Sequence, residues 1–385
     1  MVNNILLLFS VILIGWSLFE KVSTLQNKQI KKYAVIFISI VIIGWLDFYS
    51  LILLTIYSSF IIFVIKQRLR WFSNILLFVI LNVFLLIVLK DYYLLFDIQH
   101  IYVPLGVSYY FFRLISLVIE YSRNKEKYEK ISLLDYYTYV YFFPIFLAGP
   151  IQRFQDFYSL QKPLTISERK RKYIYLFFVI LVKLVIINIV LYNLSYLYLY
   201  DKIVNQLNNY HITVYLYLFG LSAFIHAYMD LMIYTEISKT IAILLGFSKQ
   251  ENFNKPLLAT NISKFWQSWH MSLSNWTRDY VFFPFLIKTR KVWLSTYASM
   301  MMIGIWHSIA WNWLFWAFMH GSALNIYMWL RNRETFKIMA NHKIGNYFLK
   351  ISGNIVTMLF VSSVFIFIAI HDYSLIIKII KAIFN

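Results

Sequence analysis

Two histidines in aromatic surroundings are the residues of this chain best suited to chemistry. His307 closes the run Gly304-Ile305-Trp306-His307 and is followed by Trp311, Trp313, Phe315 and Trp316, then by His320-Gly321. His270 lies in Phe265-Trp266-Gln267-Ser268-Trp269-His270-Met271-Ser272-Leu273-Ser274, ahead of Trp276 and Arg278-Asp279-Tyr280. Burial disfavours a charged imidazole, so a histidine in apolar sequence stays neutral and can accept a proton near neutral pH. A positioned base of this kind contributes roughly 10² to 10⁴ in rate. Each residue also has a plainer reading. His307 could be a core histidine bonded to a neighbouring helix, and His270 a member of an interfacial aromatic belt. His320 reads first as structural.

Other polar groups are less pointed. His226 and Asp230 stand four apart and share a helix face. Two such groups without a third do not make a metal centre, and no metal is expected. Asp230, with Tyr228 and Tyr234, reads as a polar patch lining a cavity. Ser308 adjoins His307 but has no base assigned to it, so it is not read as a nucleophile. No glycine-rich phosphate loop, Gly-x-Ser-x-Gly elbow or paired-acid motif occurs, which argues against an ATP-driven pump and a serine hydrolase. With no cysteine there is no thiol nucleophile, thiolate metal site or disulfide.

The elements that must position these groups are membrane helices. Of 385 residues 61% are hydrophobic and only 14% charged, and mean hydropathy is +0.64. Apolar runs recur from end to end, and runs such as Ile75–Leu89 are apolar on every side, without the alternation of barrel strands. The fold expected is all-α and polytopic, with roughly eleven transmembrane or re-entrant helices around a funnel. The net charge of +19 resides mostly in loops between apolar runs. That is the positive-inside bias of membrane loops rather than a nucleic-acid footprint.

In order, Ile5–Phe19 reads as a retained first helix rather than a signal peptide. Tyr33–Ile65 is too long for one ordinary span and is broken near Gly44-Trp45-Leu46-Asp47. Trp71–Leu89 is a span. Pro104 and Gly106 imply a kinked or re-entrant helix. Leu133–Leu147 is a further apolar run ending in Ala148-Gly149-Pro150-Ile151-Gln152. Glu168-Arg169-Lys170-Arg171-Lys172 could start a helix at the membrane surface but reads rather as a solvated charged loop. Tyr173–Leu194 is a span containing Lys183, Thr213–Leu245 one long or two short spans, Val292–Leu330 two, and Tyr347–Ile370 the last. Ser374–Phe384 reads as a short interfacial amphipathic helix. No repeat or linker divides the chain, so residues 1–385 are read as one integral domain.

The tryptophan–histidine block from Phe265 to Tyr280 resembles the signature of the membrane-bound O-acyltransferase (MBOAT) family. Asn254-Lys255-Pro256, Gly304-Ile305-Trp306-His307 and His320-Gly321 resemble its bacterial branch. Pro104-Leu105-Gly106-Val107-Ser108-Tyr109, Ala148-Gly149-Pro150-Ile151 and Tyr228-Met229-Asp230 are weaker echoes, so the resemblance covers roughly 100–330. The chain departs from the family pattern at Ser308, where a glycine is common, and at Asp230-Leu231-Met232-Ile233-Tyr234.

The resemblance implies acyl transfer from a thioester to a hydroxyl, with His307 as the essential histidine and His270 as the second signature position. Trp269, Trp306, Trp311, Asp230, Arg278, Asp279 and His320 are expected to bind substrate or line its cavity. No bound cofactor is expected. The donor would be acetyl-CoA or an acylated carrier protein, and the acceptor most simply an exported polysaccharide. D-alanyl transfer toward teichoic acid is the alternative, and a transporter or flippase without chemistry is the alternative of another class. The expected setting is multi-pass in the cytoplasmic (inner) membrane. Besides lipid and donor, an acyl carrier protein or an extracytoplasmic acyltransferase is an expected partner, and nucleic acid is not.

Overall fold

A computed structural model describes residues 21–22, 24–25, 27–67, 75–96, 103–104, 106–146, 149–157, 165–182, 185–186, 192–205, 212–247, 250–370 and 372–384. The expected first helix, Ile5–Phe19, lies outside them, as do Lys183 and residues 71–74 of the expected span Trp71–Leu89. Every element among the described residues is helical. The chain divides into two compact units, Met1–Ile180 with Tyr234–Glu251, and Leu181–Ile233 with Asn252–Asn385.

The first unit contains α1 (Lys28–Leu46) and α2 (Phe48–Gln67). The Asn27 side chain accepts from the N–H groups of Gln29 and Ile30 and starts α1. The long apolar run breaks at Asp47, whose extended backbone ends α1 while its carboxylate accepts from the Ser50 N–H at 3.2 Å. The break read near Gly44–Asp47 is therefore a true helix boundary. Next come α3 (Ile75–Phe96) and α4 (Val107–Arg123). Gly106 precedes α4 at φ 69°, and a Cβ there would stand 2.2 Å from the Phe146 carbonyl oxygen. Pro104 and Gly106 thus mark the start of a helix rather than a kink within one.

After α5 (Lys125–Glu129), α6 (Leu133–Val140) stops early. The run Leu133–Leu147 does not form a single helix, because a short 3-10 turn, Phe143–Ile145, contains Pro144, which has no N–H to donate. Buried Arg113 of α4 holds this bend. Its Nη2 donates to the Tyr139 carbonyl at 2.6 Å and its guanidinium lies 3.9 Å from the Tyr139 ring centre. The Tyr139 hydroxyl in turn donates to the Gln152 carbonyl at 2.9 Å.

Then follow α7 (Phe154–Phe157) and α8 (Ile166–Val182). The charged stretch Glu168–Lys172 lies inside α8, which corrects the loop reading. The Thr165 N–H donates to Glu168 Oε2 at 2.8 Å and the Glu168 N–H to Thr165 Oγ1 at 3.3 Å. This reciprocal capping box outweighs the crowding of like charges in the first turns.

The second unit holds α9 (Tyr200–Asn205) and most of α10 (Ile212–Leu244), one continuous helix whose last residues belong to the first unit. It continues with α11 (Ile262–Ser268), α12 (Met271–Thr277), a π-helical turn Arg278–Phe282 and α13 (Phe283–Thr289). Then come α14 (Val292–His307), α15 (Trp311–Arg331), α16 (Glu334–Asn341), α17 (Lys343–Ala369) and α18 (Tyr373–Phe384). The last is amphipathic, as its sequence implies. Leu375, Ile376 and Ile379 bury against Leu199, Ile203, Ile212, Leu216 and Phe219, while Lys378 and Lys381 are exposed.

Among the described residues four helices are long and apolar enough to cross a membrane: α1, α2, α10 and α17. Several other apolar runs give shorter helices. Val292–Leu330 does form two helices, but α14 has only 16 residues, short of the roughly 20 that a perpendicular crossing needs.

Candidate active site

The second unit brings the two candidate histidines to the same indole. His307 is the last residue of α14, which ends because Ser308 turns extended. Half-buried there, its ring stacks on Trp313, with centroids 4.0 Å apart and planes 8° from parallel. Trp306 packs on His307 at 4.3 Å, and Trp316 meets it edge-on at 6.0 Å. The other side of the contact belongs to His270, whose ring stands perpendicular to Trp306 at 5.7 Å.

The close approach of α14 and α15 depends on Gly304. A Cβ at this position would stand 2.7 Å from the Ala317 Cβ and 2.8 Å from the Trp313 carbonyl oxygen. Glycine three residues before His307 therefore sets how near the imidazole and Trp313 can come.

His270 is held differently. It is 2% exposed and sits at φ 41°, ψ 53° between α11 and α12. This left-handed conformation costs an L-residue roughly 1–2 kcal/mol, and histidine visits it more readily than most. It precedes α12, yet its side chain does not cap the helix. Asn252 does so instead: its Oδ1 accepts from the Ser272 N–H at 3.0 Å and the Ser272 hydroxyl at 2.8 Å. The Asn252 carbonyl also accepts from the Met271 N–H at 2.8 Å. Neither ring nitrogen of His270 has a protein partner among the described residues. The residue lies outside the four candidate spans, and burial pushes its imidazole down to about 4. It is therefore neutral at physiological pH.

The remaining candidates fall around this pair unevenly. His320 is fully buried on α15, and its Nδ1 accepts from the Trp266 indole N–H at 3.3 Å. That bond places the His320 proton on Nε2. Trp316 lies 4.4 Å from His320 and so touches both this residue and His307. Trp269 is packed in an aromatic nest, stacked on Phe265 at 5.4 Å and flanked by Phe224, Tyr228 and Phe253.

Asp230 is half-buried on α10, two residues beyond Tyr228, whose ring ties that helix to Phe253 and Trp269. Arg278 and Asp279 pair with each other on the π-helical turn at 2.8 and 3.3 Å, with the Arg278 side chain 53% exposed. Trp311 is 42% exposed and pairs with Phe315 at 5.8 Å. The indole that faces His307 is Trp313, a residue not among the candidate lining groups. Its helical spacing with Trp316 and His320 on α15 is the signal that could have found it. Among the described residues no three His, Asp or Glu side chains gather as a metal set.

The family model of the membrane-bound O-acyltransferases matches residues 59–368, beyond the core stretch that the motifs alone delimit. The chain belongs to this family. As an MBOAT protein it is a multi-pass membrane protein, consistent with its apolar helices. Over 242 residues it is 30% identical to the teichoic acid D-alanyltransferase of Bacillus subtilis, a match covering 58% of each chain. Over 250 residues it is 29% identical to a probable alginate O-acetylase of Azotobacter vinelandii, covering 61% of this chain and 46% of that one. A peptidoglycan O-acetyltransferase of Helicobacter pylori is 23% identical over 271 residues, covering 60% and 49% respectively. The MBOAT chain here spans about half the length of the curated relatives it matches.

Proposed function

We propose that this protein is an O-acyltransferase of the cytoplasmic membrane, moving an acyl group, most simply acetyl, from a thioester to a hydroxyl of an exported cell-surface polysaccharide. The observation that carries the reading is His307: an imidazole at a helix end, stacked on Trp313 and braced by Trp306 and Trp316. An alcohol becomes a competent nucleophile when a base takes its proton in the transition state. In this reading His307 Nδ1 or Nε2 accepts the hydroxyl proton as the oxygen attacks the thioester carbonyl. The tetrahedral intermediate then collapses, the C–S bond breaks, and the thiol leaves with a proton. A thioester is already activated, so the residues need to orient and exclude water rather than supply a metal or nucleotide.

Stacking on Trp313 limits rotation of the imidazole without using either ring nitrogen. His270, on the far side of Trp306, is a positioning residue that sets this indole. Trp269, Trp311, Asp230, Arg278, Asp279 and His320 are proposed to shape the substrate path. The donor is acetyl-CoA or an acylated carrier protein, and a carrier protein or an extracytoplasmic acyltransferase is the proposed protein partner.

D-alanyl transfer toward teichoic acid is the second reading. It is favoured by the 30% identity to the Bacillus subtilis protein and by the same identity to a Streptococcus thermophilus one of the same name. Mass spectrometry of surface polymers from a deletion strain separates the readings. Loss of ester-linked acetate supports the first, and loss of D-alanine supports the second. Unchanged acylation with altered polymer export would overturn both in favour of a flippase.

A further inference from the structure

A cavity of about 1100 Å³ lies within the second unit between α11, α15, α16 and α17. Four cations line it, one from each helix: Lys264, Arg331, Lys337 and Lys350. No carboxylate is among its lining residues. Lys337 is partly neutralised by Glu334 of α16, 2.7 Å away and 79% exposed. Lys264, Arg331 and Lys350 have no ion pair among the described residues. All four cations are exposed, and their shared sign makes the cavity attractive to an anion.

The rest of the lining is mixed: polar residues such as Asn261, Gln267, Asn346 and Thr357 alternate with apolar ones, several of which face outward. Ile326 and Leu330 of α15 are 58% and 42% exposed, and Val356 of α17 is 63% exposed. All three line the cavity. Helix α17 is one of the candidate membrane spans, so exposed apolar side chains on it meet hydrocarbon rather than water. On α17, Lys350 precedes Val356 by six residues, about 9 Å along the helix. Along α17 the cavity therefore presents a cation near one end of a candidate span and an exposed apolar residue, Val356, farther along it. A soluble anion would use the first feature only. A glycerophospholipid uses both, with its phosphate among the cations and its chains along the wall.

We infer that this cavity is a binding site for an anionic phospholipid, with Lys264, Arg331 and Lys350 holding the headgroup phosphate. Neither His307, His270 nor His320 lines the cavity, and the inference does not depend on acyl transfer.

The test is lipid retention by the full chain in nanodiscs of phosphatidylcholine with and without phosphatidylglycerol, read by native mass spectrometry after gentle extraction. Phosphatidylglycerol is expected to be retained in preference to phosphatidylcholine. In Lys264→Gln/Lys350→Gln its affinity should fall about thirtyfold. A Lys288→Gln/Lys291→Gln control, with both lysines outside the cavity, should match the parent, and Lys264→Arg should retain binding. Equal retention of the two lipids, or unchanged retention in the cavity double variant, would overturn the site. Displacement of the lipid by inorganic phosphate or by coenzyme A would overturn the assignment to a membrane lipid and make it a site for a soluble anion.

Discussion

The His307 imidazole lies face to face with the Trp313 indole, 4.0 Å between centroids and 8° from parallel. This contact leaves both ring nitrogens of His307 clear of Trp313. Purified His307→Ala is expected to fold, by size-exclusion profile, and to lose acyl transfer by a factor of about 10² or more. Trp313→Phe keeps an aromatic face and should retain more activity than Trp313→Ala. A folded His307→Ala protein with turnover near that of the parent would remove the proposed base.

Gly304 permits that contact. In Gly304→Ala the new methyl meets Ala317 and the Trp313 carbonyl, so α14 and α15 must part. Overpacking of this kind typically costs about 1–3 kcal/mol, which thermal unfolding in detergent would register as a lower midpoint, with reduced activity alongside. Adding Ala317→Gly removes one of the two clashes and should recover part of the stability. Full recovery would show that the Trp313 carbonyl does not limit the approach.

Trp266→Phe deletes the indole N–H that His320 accepts. Its expected cost is about 1–3 kcal/mol, because a buried acceptor is left without its donor. Differential scanning fluorimetry measures this directly. An unchanged midpoint would mean that His320 finds another donor.

His270 should carry an acid-sensitive part of the stability. Its folded-state imidazole is held down at about 4 against an ordinary value of 6.5. Between those values the unfolded chain binds a proton that the folded chain refuses. Stability therefore falls as pH drops from about 6.5 toward about 4, and this contribution levels off below. His270→Asn tolerates the left-handed backbone and should flatten that slope. Unfolding midpoints of parent and variant across this pH window provide the check, and parallel curves would refute the assignment. Some acyl transfer should survive in the variant, since His270 acts through Trp306.

The sequence made some of this arrangement legible. Asp47 interrupts apolar sequence with a carboxylate that bonds locally, so the boundary between α1 and α2 could be read from residue types. Both candidate histidines were visible because they stand in apolar, tryptophan-rich sequence, where an ionisable group is costly. The helical start of α8 was also written there, as Thr165 three residues before Glu168, but the density of charge concealed it. Trp311 and Trp313 differ only in helix phase: Trp313, not Trp311, shares a face with Trp316 and His320, and in so tryptophan-rich a run that spacing is easily passed over. The early end of the Leu133–Leu147 helix was written in Pro144, whereas the bond from Arg113 to the Tyr139 carbonyl that holds the bend joins residues 26 apart and leaves no local pattern.

The cap of α12 is borrowed. Asn252 supplies the acceptor that the residue before a helix ordinarily supplies for itself, so His270 is relieved of scaffolding duty and its imidazole is available for other work. Positions 252 and 270 are thereby linked in what each can become. A side chain at 270 able to cap the helix would make the asparagine redundant, while loss of the asparagine would favour surrendering the histidine to architecture. The freedom of one residue to take part in chemistry is, in this protein, a property of another.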